Sequence, residues 1–355
     1  MKLELSSEKL FAVPVSLVET NDGVIVKRAR TAIKVGGAEA VRAVSAILTA
    51  AANGASREQI LEQFDTEEQE PIGSLVDHLV GRRILVGEGD APGHNQAQES
   101  PLDVFYWQFG TQSKQIRQRL NARRIKIFGL NYISLRLAEG LRSSGADAFE
   151  IVDVPLLRND ALFNANGAPK DAAHAAVPFD EHLDPESLDC LVVTSDMGGV
   201  EQLRSWNEFA VLHRLHYFPV LLQDLVGYVG PVVVPGQTPC YECVVSRQNA
   251  HLMDFQSRRA LESAFVQDQA VGGFHPSMAS ILGDLAALEL TKFFGLGGAL
   301  ARPGVLIEMN ILGSEMKARR VLRLPRCQVC SRLNRVSPTA FTRSWLAGNT
   351  GGGGQ

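Results

Sequence analysis

The sequence predicts an α/β chain in two parts: a small module of short strands and three helices, then a larger doubly wound sheet. Three observations lead there. At 355 residues, a usual domain size of about 150 gives roughly two domains. From residue 124 onward, short apolar runs alternate with helical patterns, as parallel strands covered on both faces require. Two Cys-x-x-Cys pairs, Cys240/Cys243 and Cys327/Cys330, fall at the middle and the end of that second part.

The front module is expected over residues 1–90. Phe11–Val18 and Gly23–Lys27 read as strands joined by the turn residues Thr20, Asn21 and Asp22, and Thr31–Val35 as a third strand. Glu39–Ala51 spaces Val41, Val44, Ile47 and Leu48 as a helix, which Asn53-Gly54 ends. Ser56-Arg57-Glu58-Gln59 is a capping box opening a second helix. A third, from about Glu70 to Gly81, carries Ile72, Leu75, Val76 and Leu79 as its apolar stripe. Ile84-Leu85-Val86 closes with a strand. Three helices with a small sheet make a winged-helix-like pattern.

Residues 91–122 read as linker and connector: Gly87–Ser100 is rich in Gly, Pro and polar residues, and Ser113–Asn121 is helical. The second domain is expected over 123–340. Its strands are Ile125–Phe128, Ala148–Val154, Cys190–Thr194, Pro219–Gln223 and a pair within Val226–Val234. Helices are expected at Ile133–Ser143, Trp206–His216 and Ser277–Phe294. The tail, 341–355, ends in Gly-Gly-Gly-Gly-Gln, can bury nothing and is expected to be disordered.

Composition narrows the function. With 45% hydrophobic and 21% charged residues the chain is neither a disordered polymer nor a coiled-coil rod. Thirty-five basic against 39 acidic residues give −4, too balanced for a protein coated in nucleic acid. MKLELSSEKL is no signal peptide. The most apolar stretch, Tyr217–Pro235, is broken by Gln223, Asp224, Gly227, Gly230 and Pro231, so no bilayer span is expected. The reading is a soluble, cytoplasmic protein with neither nucleic acid nor membrane as partner.

In a reducing compartment, Cys-x-x-Cys spacing points to metal before disulfide. Two thiolates separated by two residues bite one metal from a tight turn, and two such turns complete a tetrahedral site. Pro235, Gly236, Pro239 and Pro325 supply the turns. Four cysteine ligands leave no open position, so a structural Zn²⁺ is expected at Cys240, Cys243, Cys327 and Cys330. Cys190, inside an apolar strand, reads as a buried small hydrophobe.

The strand-turn-helix at 125–143 is where a nucleotide fold carries G-x-G-x-x-G. Here the stretch is Gly129-Leu130-Asn131-Tyr132-Ile133-Ser134. Only the first glycine is kept, and Asn131 and Ser134 hold the places where backbone approaches phosphate and helix packs on strand. An acidic residue at strand end, Asp153, is present, as is Asp196 after the next strand. The fold reads as a nucleotide fold with its phosphate loop spoiled, a nucleotide-site remnant.

These features, with Arg158, the Gly230-Pro231, Pro235-Gly236 and Pro239-Cys240-x-x-Cys243 run, Gly283 and Glu289 in a late helix, and Cys327-x-x-Cys330, resemble the ThiF/MoeB family of adenylating enzymes over roughly residues 101–335. The resemblance implies a Rossmann-like ThiF-type domain. It makes Asp153 the ribose acid, Arg158 the phosphate-contacting arginine and Asp196 the metal aspartate. The family's lysine has no counterpart, Lys170 lying too far along. With a winged-helix-like module in front, the chain resembles a narrower group, the Ocin-ThiF-like partner proteins of azoline-forming (TOMM) peptide biosynthesis. That resemblance implies a RiPP recognition element that binds the leader of a ribosomal precursor peptide, and a degenerate ThiF-like domain that docks a YcaO-type cyclodehydratase. It implies no independent catalysis, no ATP use by this chain and no catalytic residue; the family also implies a homodimer.

By this resemblance the leader adds a strand at the third strand, Thr31, Ala32, Ile33, Lys34 and Val35. Leu75, His78, Leu79 and Arg82 of the third helix form the opposite wall. Lys27, Arg28, Arg30 and Lys34 suit an acidic leader or a solvated face. Two alternatives stand beside this reading: an active ThiF-like adenylating enzyme acting on a precursor peptide, and a winged-helix DNA regulator. Against the last, the third helix offers only Ser74, Asp77, His78 and Arg82 where several phosphate-neutralising cations are needed.

Overall fold

A proline sets the layout of the first sheet. The structure, a computed structural model, describes residues 9–91, 100–171, 176–180, 182–250, 254, 256–257, 260–261, 273–298 and 300–331. The tail expected at 341–355 and most of the 87–100 linker lie outside them. The run expected as one strand, Phe11–Val18, is cut at Pro14, which has no N–H to give a ladder. β1 (Leu10–Ala12) pairs antiparallel with β5 (Leu85–Gly87), while β2 (Ser16–Thr20) starts a separate sheet of order β2-β3-β4. β3 is Gly23–Arg28 and β4 Thr31–Gly36, joined by a turn with Ala29 at φ 49°.

Three helices follow, α1 (Ala40–Ala51), α2 (Arg57–Leu61) and α3 (Gln69–Gly81). The capping box at α2 forms as read: Ser56 Oγ accepts from the Gln59 N–H and Gln59 Oε1 from the Ser56 N–H. Val24, Val26, Ile33, Val44, Ile47, Ile60, Val76 and Leu79 build the core of this unit. The passage after the linker holds a helix the sequence reading missed, α4 (Pro101–Trp107), with its own capping box of Ser100 and Asp103. Its Trp107 joins the same core, donates from Nε1 to the Arg83 carbonyl at 3.1 Å and lies under the Arg28 guanidinium at 4.7 Å. The compact unit accordingly runs from Met1 to Gln115, and the second covers Ile116–Gln355. α5 (Ser113–Asn121) spans that division.

The second unit carries an eight-stranded sheet of order β13-β12-β11-β10-β9-β6-β7-β8. β6 (Ile125–Phe128), β7 (Phe149–Asp153), β8 (Val177–Pro178), β9 (Cys190–Ser195) and β10 (His216–Gln223) are parallel. β11 (Val226–Val229), β12 (Val305–Asn310) and β13 (Glu315–Arg320) extend it antiparallel, so the expected parallel sheet is in fact mixed. The last two strands alternate too little hydrophobicity to announce themselves; every residue of β13 is exposed.

α6 (Tyr132–Ser143), α7 (Val200–Leu212), α8 (Tyr241–Asn249) and α9 (Pro276–Leu290) flank the sheet. α7 corrects the helix expected at Trp206–His216. It starts at Val200, after Gly198 and Gly199 turn the chain at positive φ, and its first turns are mostly polar and carry little apolar signal. It stops at Leu212 because Arg214, not a glycine, takes the left-handed conformation, and His216 belongs to β10.

α6 and α9 pack closely because glycines face them. A Cβ on Gly140 would meet the Ala287 Cβ at 2.7 Å, and one on Gly283 the Ile133 carbonyl oxygen at 2.7 Å. Arg136 then bridges to Asp284 at 2.9 and 3.0 Å. Because the obstacle at Gly283 is backbone, Gly283→Ala is expected to lower stability by about 1–3 kcal/mol through forced separation of the helices. Chemical denaturation of the full chain, followed by tryptophan fluorescence, checks it.

Candidate functional site

Parallel strands diverge on either side of β6: the chain goes from β6 through α6 to β7, while β9 lies on the opposite flank. In such sheets ligands bind outside the carboxyl ends of the strands at this switch point. Gly129, at φ 105°, makes the turn after β6; a Cβ there would lie 2.5 Å from the Thr194 carbonyl oxygen. Asn131 follows as the N-cap of α6 and is fully buried. Its Nδ2 donates to the carbonyls of Leu157 (3.1 Å) and Thr194 (3.0 Å), and its Oδ1 accepts from the Ser134 N–H (3.1 Å). Ser134 Oγ accepts from the Asn131 N–H at 3.0 Å. Asp196 Oδ2 accepts from the Tyr132 N–H (2.9 Å) and Asn159 Nδ2 (3.0 Å).

A helix N-terminus binds phosphate through free first-turn N–H groups. Here the N–H groups of Asn131, Tyr132 and Ser134 are all taken by the chain's own side chains. Asp153 and Arg158, expected on ribose and phosphate, are bonded to each other, Nε to Oδ1 at 3.0 Å and Nη2 to Oδ2 at 2.5 Å. Arg158 also stacks over Phe163 at 4.3 Å. Lys170 donates to the Ala161 carbonyl. The structure thus gathers Gly129, Asn131 and Asp196 at one crevice and fills it from within.

Asp196 is nearly inaccessible, and burial pushes its carboxyl above the ordinary value despite the bonds from Asn159 and Tyr132. A raised folded value means that ionisation costs stability, so the cost sets in as pH climbs from about 3.8, the unfolded value, through the folded one. Asp196→Asn keeps an acceptor and cannot ionise. Its melting temperature is expected to exceed wild type above that window and to converge with it on acidification.

The four cysteines come together. Sγ–Sγ distances are 3.9 Å for Cys240–Cys243, 3.6 Å for Cys240–Cys327 and 3.5 Å for Cys243–Cys330, and all four sulfurs lie within 4.8 Å of one another. A disulfide needs about 2.05 Å; all these cysteines are free. Tetrahedral thiolates about 2.3 Å from Zn²⁺ stand about 3.8 Å apart, so the donor set and its spacing fit such an ion. Cys240 caps α8 and Cys243 sits in its first turn. Hydrogen bonds from Cys240, Cys327 and Cys330 hold the Cys243 thiol well below its ordinary value, and the Leu324 N–H also reaches it at 3.5 Å. Bonding to Cys240 lowers Cys327 to about 6. Cys190 is the opposite case: burial pushes its thiol far up, as a packing residue requires.

Sequence reasoning missed what holds this knuckle. Glu242, between the first two cysteines, accepts from Arg204 at 2.7 and 3.2 Å and from Ser246 Oγ at 2.9 Å. Asn207 Oδ1 accepts from the Tyr241 N–H at 2.8 Å. Arg204 and Asn207 lie on α7, far along the chain, and no local pattern links them to the cysteines.

In the front unit, β4 pairs with β3 alone among the described residues, so its other edge is open. The Gly37 N–H donates to the Asp22 carbonyl. By the alternation of an antiparallel ladder, the amides of Thr31, Ile33 and Val35 face β3, and those of Ala32 and Lys34 face away. Ala32 and Lys34 are exposed, with Lys34 paired to Asp22 at 2.7 Å; Thr31 and Val35 are half-buried. Two expected binding residues are corrected: Ile33, expected on the receiving strand, and Leu79, expected on the opposite wall, have their side chains in the core. On α3, Ile72, Val76 and Leu79 point inward, Leu75 sits at the margin, and His78 and Arg82 are exposed.

Solved structures share this architecture. The microcin C7 biosynthetic enzyme MccB in complex with N-formylated MccA matches at TM-score 0.64 and 15% identity, over 91% of this chain and 100% of that one. E. coli MccB with ATP matches at TM-score 0.62 and 16% identity, over 91% and 99%. The fold is MccB-like. The heterocyclase TruD matches at TM-score 0.58 and 18% identity, over 91% of this chain and 43% of TruD. No protein-family model matches the chain, and no curated protein sequence does. No helix among the described residues is long and apolar enough to cross a membrane.

One metal ion per chain is expected by elemental analysis. Because binding to such a site is largely folding energy, on the order of 10 kcal/mol, Cys327→Ser should be insoluble or unfolded in its second unit. A fully folded metal-free protein counts against the assignment.

Proposed function

We propose that this chain binds the leader of a ribosomal precursor peptide and presents it to a separate YcaO-type cyclodehydratase for azoline or azole formation. The observation that carries the reading is an MccB-like fold along nearly the whole chain, MccB having been solved with N-formylated MccA. The likeness to TruD adds the heterocycle chemistry. This chain spans 43% of that heterocyclase, and in this reading the cyclising activity belongs to the YcaO-type partner.

Within this reading the front unit is a winged-helix-like recognition element, and β4 receives the leader as an added strand. Ala32 and Lys34 offer outward amides, and Leu75, His78 and Arg82 are its candidate neighbours on α3. Each backbone hydrogen bond contributes about 0.5–1.5 kcal/mol. The second unit is a ThiF-like domain whose crevice no longer serves ATP, with a structural Zn²⁺ on the four cysteines. Asn131 and the Asp153–Arg158 pair support that: phosphate would have to displace bonds already made, buried at Asn131 and part-buried at the ion pair.

The second reading is an active ATP-dependent adenylating enzyme acting on a precursor peptide. The end-to-end match to MccB solved with ATP favours it. ATP–pyrophosphate exchange by this chain alone separates the two: none is expected under the first reading. The leader reading is tested by fluorescence anisotropy with synthetic leaders of short Cys/Ser/Thr-rich precursor peptides sought among the neighbouring genes. Ile33→Pro is the wrong probe, because it breaks the β3–β4 ladder. Lys34→Pro removes an outward amide and the exposed Lys34–Asp22 ion pair but none of the β3–β4 ladder bonds, and is expected to weaken binding roughly tenfold or more while the fold is kept, with Lys34→Ala as the control for the side chain. Equal affinity in a folded Lys34→Pro variant would sink the edge-strand model.

A further inference from the structure

The sheet of the second unit ends in a strand with unusual surroundings. β13 pairs with β12 alone among the described residues, and the Val321 N–H donates to the Gly304 carbonyl. By ladder alternation the amides of Lys317 and Arg319 face β12, and those of Met316, Ala318 and Arg320 face outward. Both side-chain faces of the strand are exposed.

The charge there runs against the rest of the molecule. Between Arg302 and Arg326 stand Arg302, Lys317, Arg319, Arg320, Arg323 and Arg326 against Glu308 and Glu315, in a chain whose net charge is −4. Glu308 is taken by Arg319 and Glu315 by Lys317. Arg320 and Arg302 are exposed without an ion-pair partner among the described residues. Charged residues on an edge often only guard against aggregation. That account fits poorly, because Leu312 (71% exposed), Met316 (63%) and Leu322 (58%) stand on the same hairpin and its exit. A guarded edge does not display apolar side chains beside its cations. Apolar anchors flanking unpaired cations suit a chain that carries both acidic and apolar residues.

We propose that β13 is a second docking edge, which takes an extended acidic segment of a partner protein as a ninth strand. Outward amides of Met316, Ala318 and Arg320 supply the ladder, Arg320 and Arg302 pair with carboxylates, and Met316 and Leu322 cover apolar side chains. A second copy of this chain is a poor occupant, since it would set cation against cation. The site belongs to the second unit and does not depend on leader binding at β4.

The test uses the full metal-bound chain and a short fluorescein-labelled peptide of alternating Val and Glu. Controls are an alternating Val-Lys peptide and a single-stranded oligonucleotide of matching charge. The Val-Glu peptide is expected to bind, to weaken steeply with salt, and to lose roughly tenfold in affinity with either Ala318→Pro or Arg320→Glu. Proline is compatible with an edge strand where the lost N–H faced solvent, and thermal melts confirm that both variants remain folded. Lys34→Pro should leave this binding unchanged. Equal binding of the oligonucleotide, or wild-type affinity in a folded Ala318→Pro variant, would overturn the proposal in favour of a general electrostatic patch.

Discussion

Four sulfur atoms within one small volume govern the second unit. Cys240 and Cys243 leave the sheet at the start of α8, and Cys327 and Cys330 arrive from the last described segment. Their spacing is too wide for disulfides and right for tetrahedral thiolates around an ion. Cys240, Cys243 and Cys327 belong to the same apolar cluster as Phe128, Val193 and Leu221 of the sheet, so the cluster ties strands, α8 and the segment at Cys327 into one core. Crowded thiolates in that setting repel unless a cation sits among them. Arg204, reaching Glu242 from α7, fixes the knuckle's outer side and extends its influence to the helix that follows β9.

That extension ends at the switch-point crevice, where polar groups are buried and mutually satisfied. Asn131 makes bonds to Leu157, Thr194 and Ser134, and Asp196 holds the first turn of α6. Binding an anion there means breaking such bonds inside low dielectric, where an unpaired group costs about 1–3 kcal/mol. The ionised Asp196 would also repel phosphate. An arrangement of this kind is built for rigidity, and it aligns α6 for its close contact with α9 through Gly140 and Gly283.

How much of this was legible followed from signal type. The cysteine cluster was fully readable, because metal-ligand spacing is local and chemically narrow. The Ser56 capping box and the strand Ile125–Phe128 were readable for the same reason of locality. Asn and Ser at 131 and 134 were visible, but that the Asn131 amide is held by the Leu157 and Thr194 carbonyls depends on residues that no local window contains. α4 was missed because its apolar residues looked like linker decoration until Trp107 found Arg28 and Arg83. β13 was missed because an edge strand with two solvated faces has no period-2 hydrophobic pattern, and β12, half-buried between β11 and β13, offers only the short run Val305-Leu306-Ile307. The wall assigned to Leu79 failed on phase: a helix stripe can mark the core or a groove, and only the packing of Ile72 and Val76 decides which.

The two sheets therefore divide differently between closed and open surfaces. In the second unit the buried polar groups at the switch point bond to one another, while β13 pairs on one side only among the described residues. In the first, β4 pairs on one side only among the described residues, beside a core that its own Ile33 completes. A strand edge left unpaired is an aggregation hazard, and a long exposed one carries a cost. Selection for stability alone would cover or shorten it. On the proposed reading, edges unpaired among the described residues suit recognition of extended polypeptide, with Lys34 and Arg320 placed to choose among sequences.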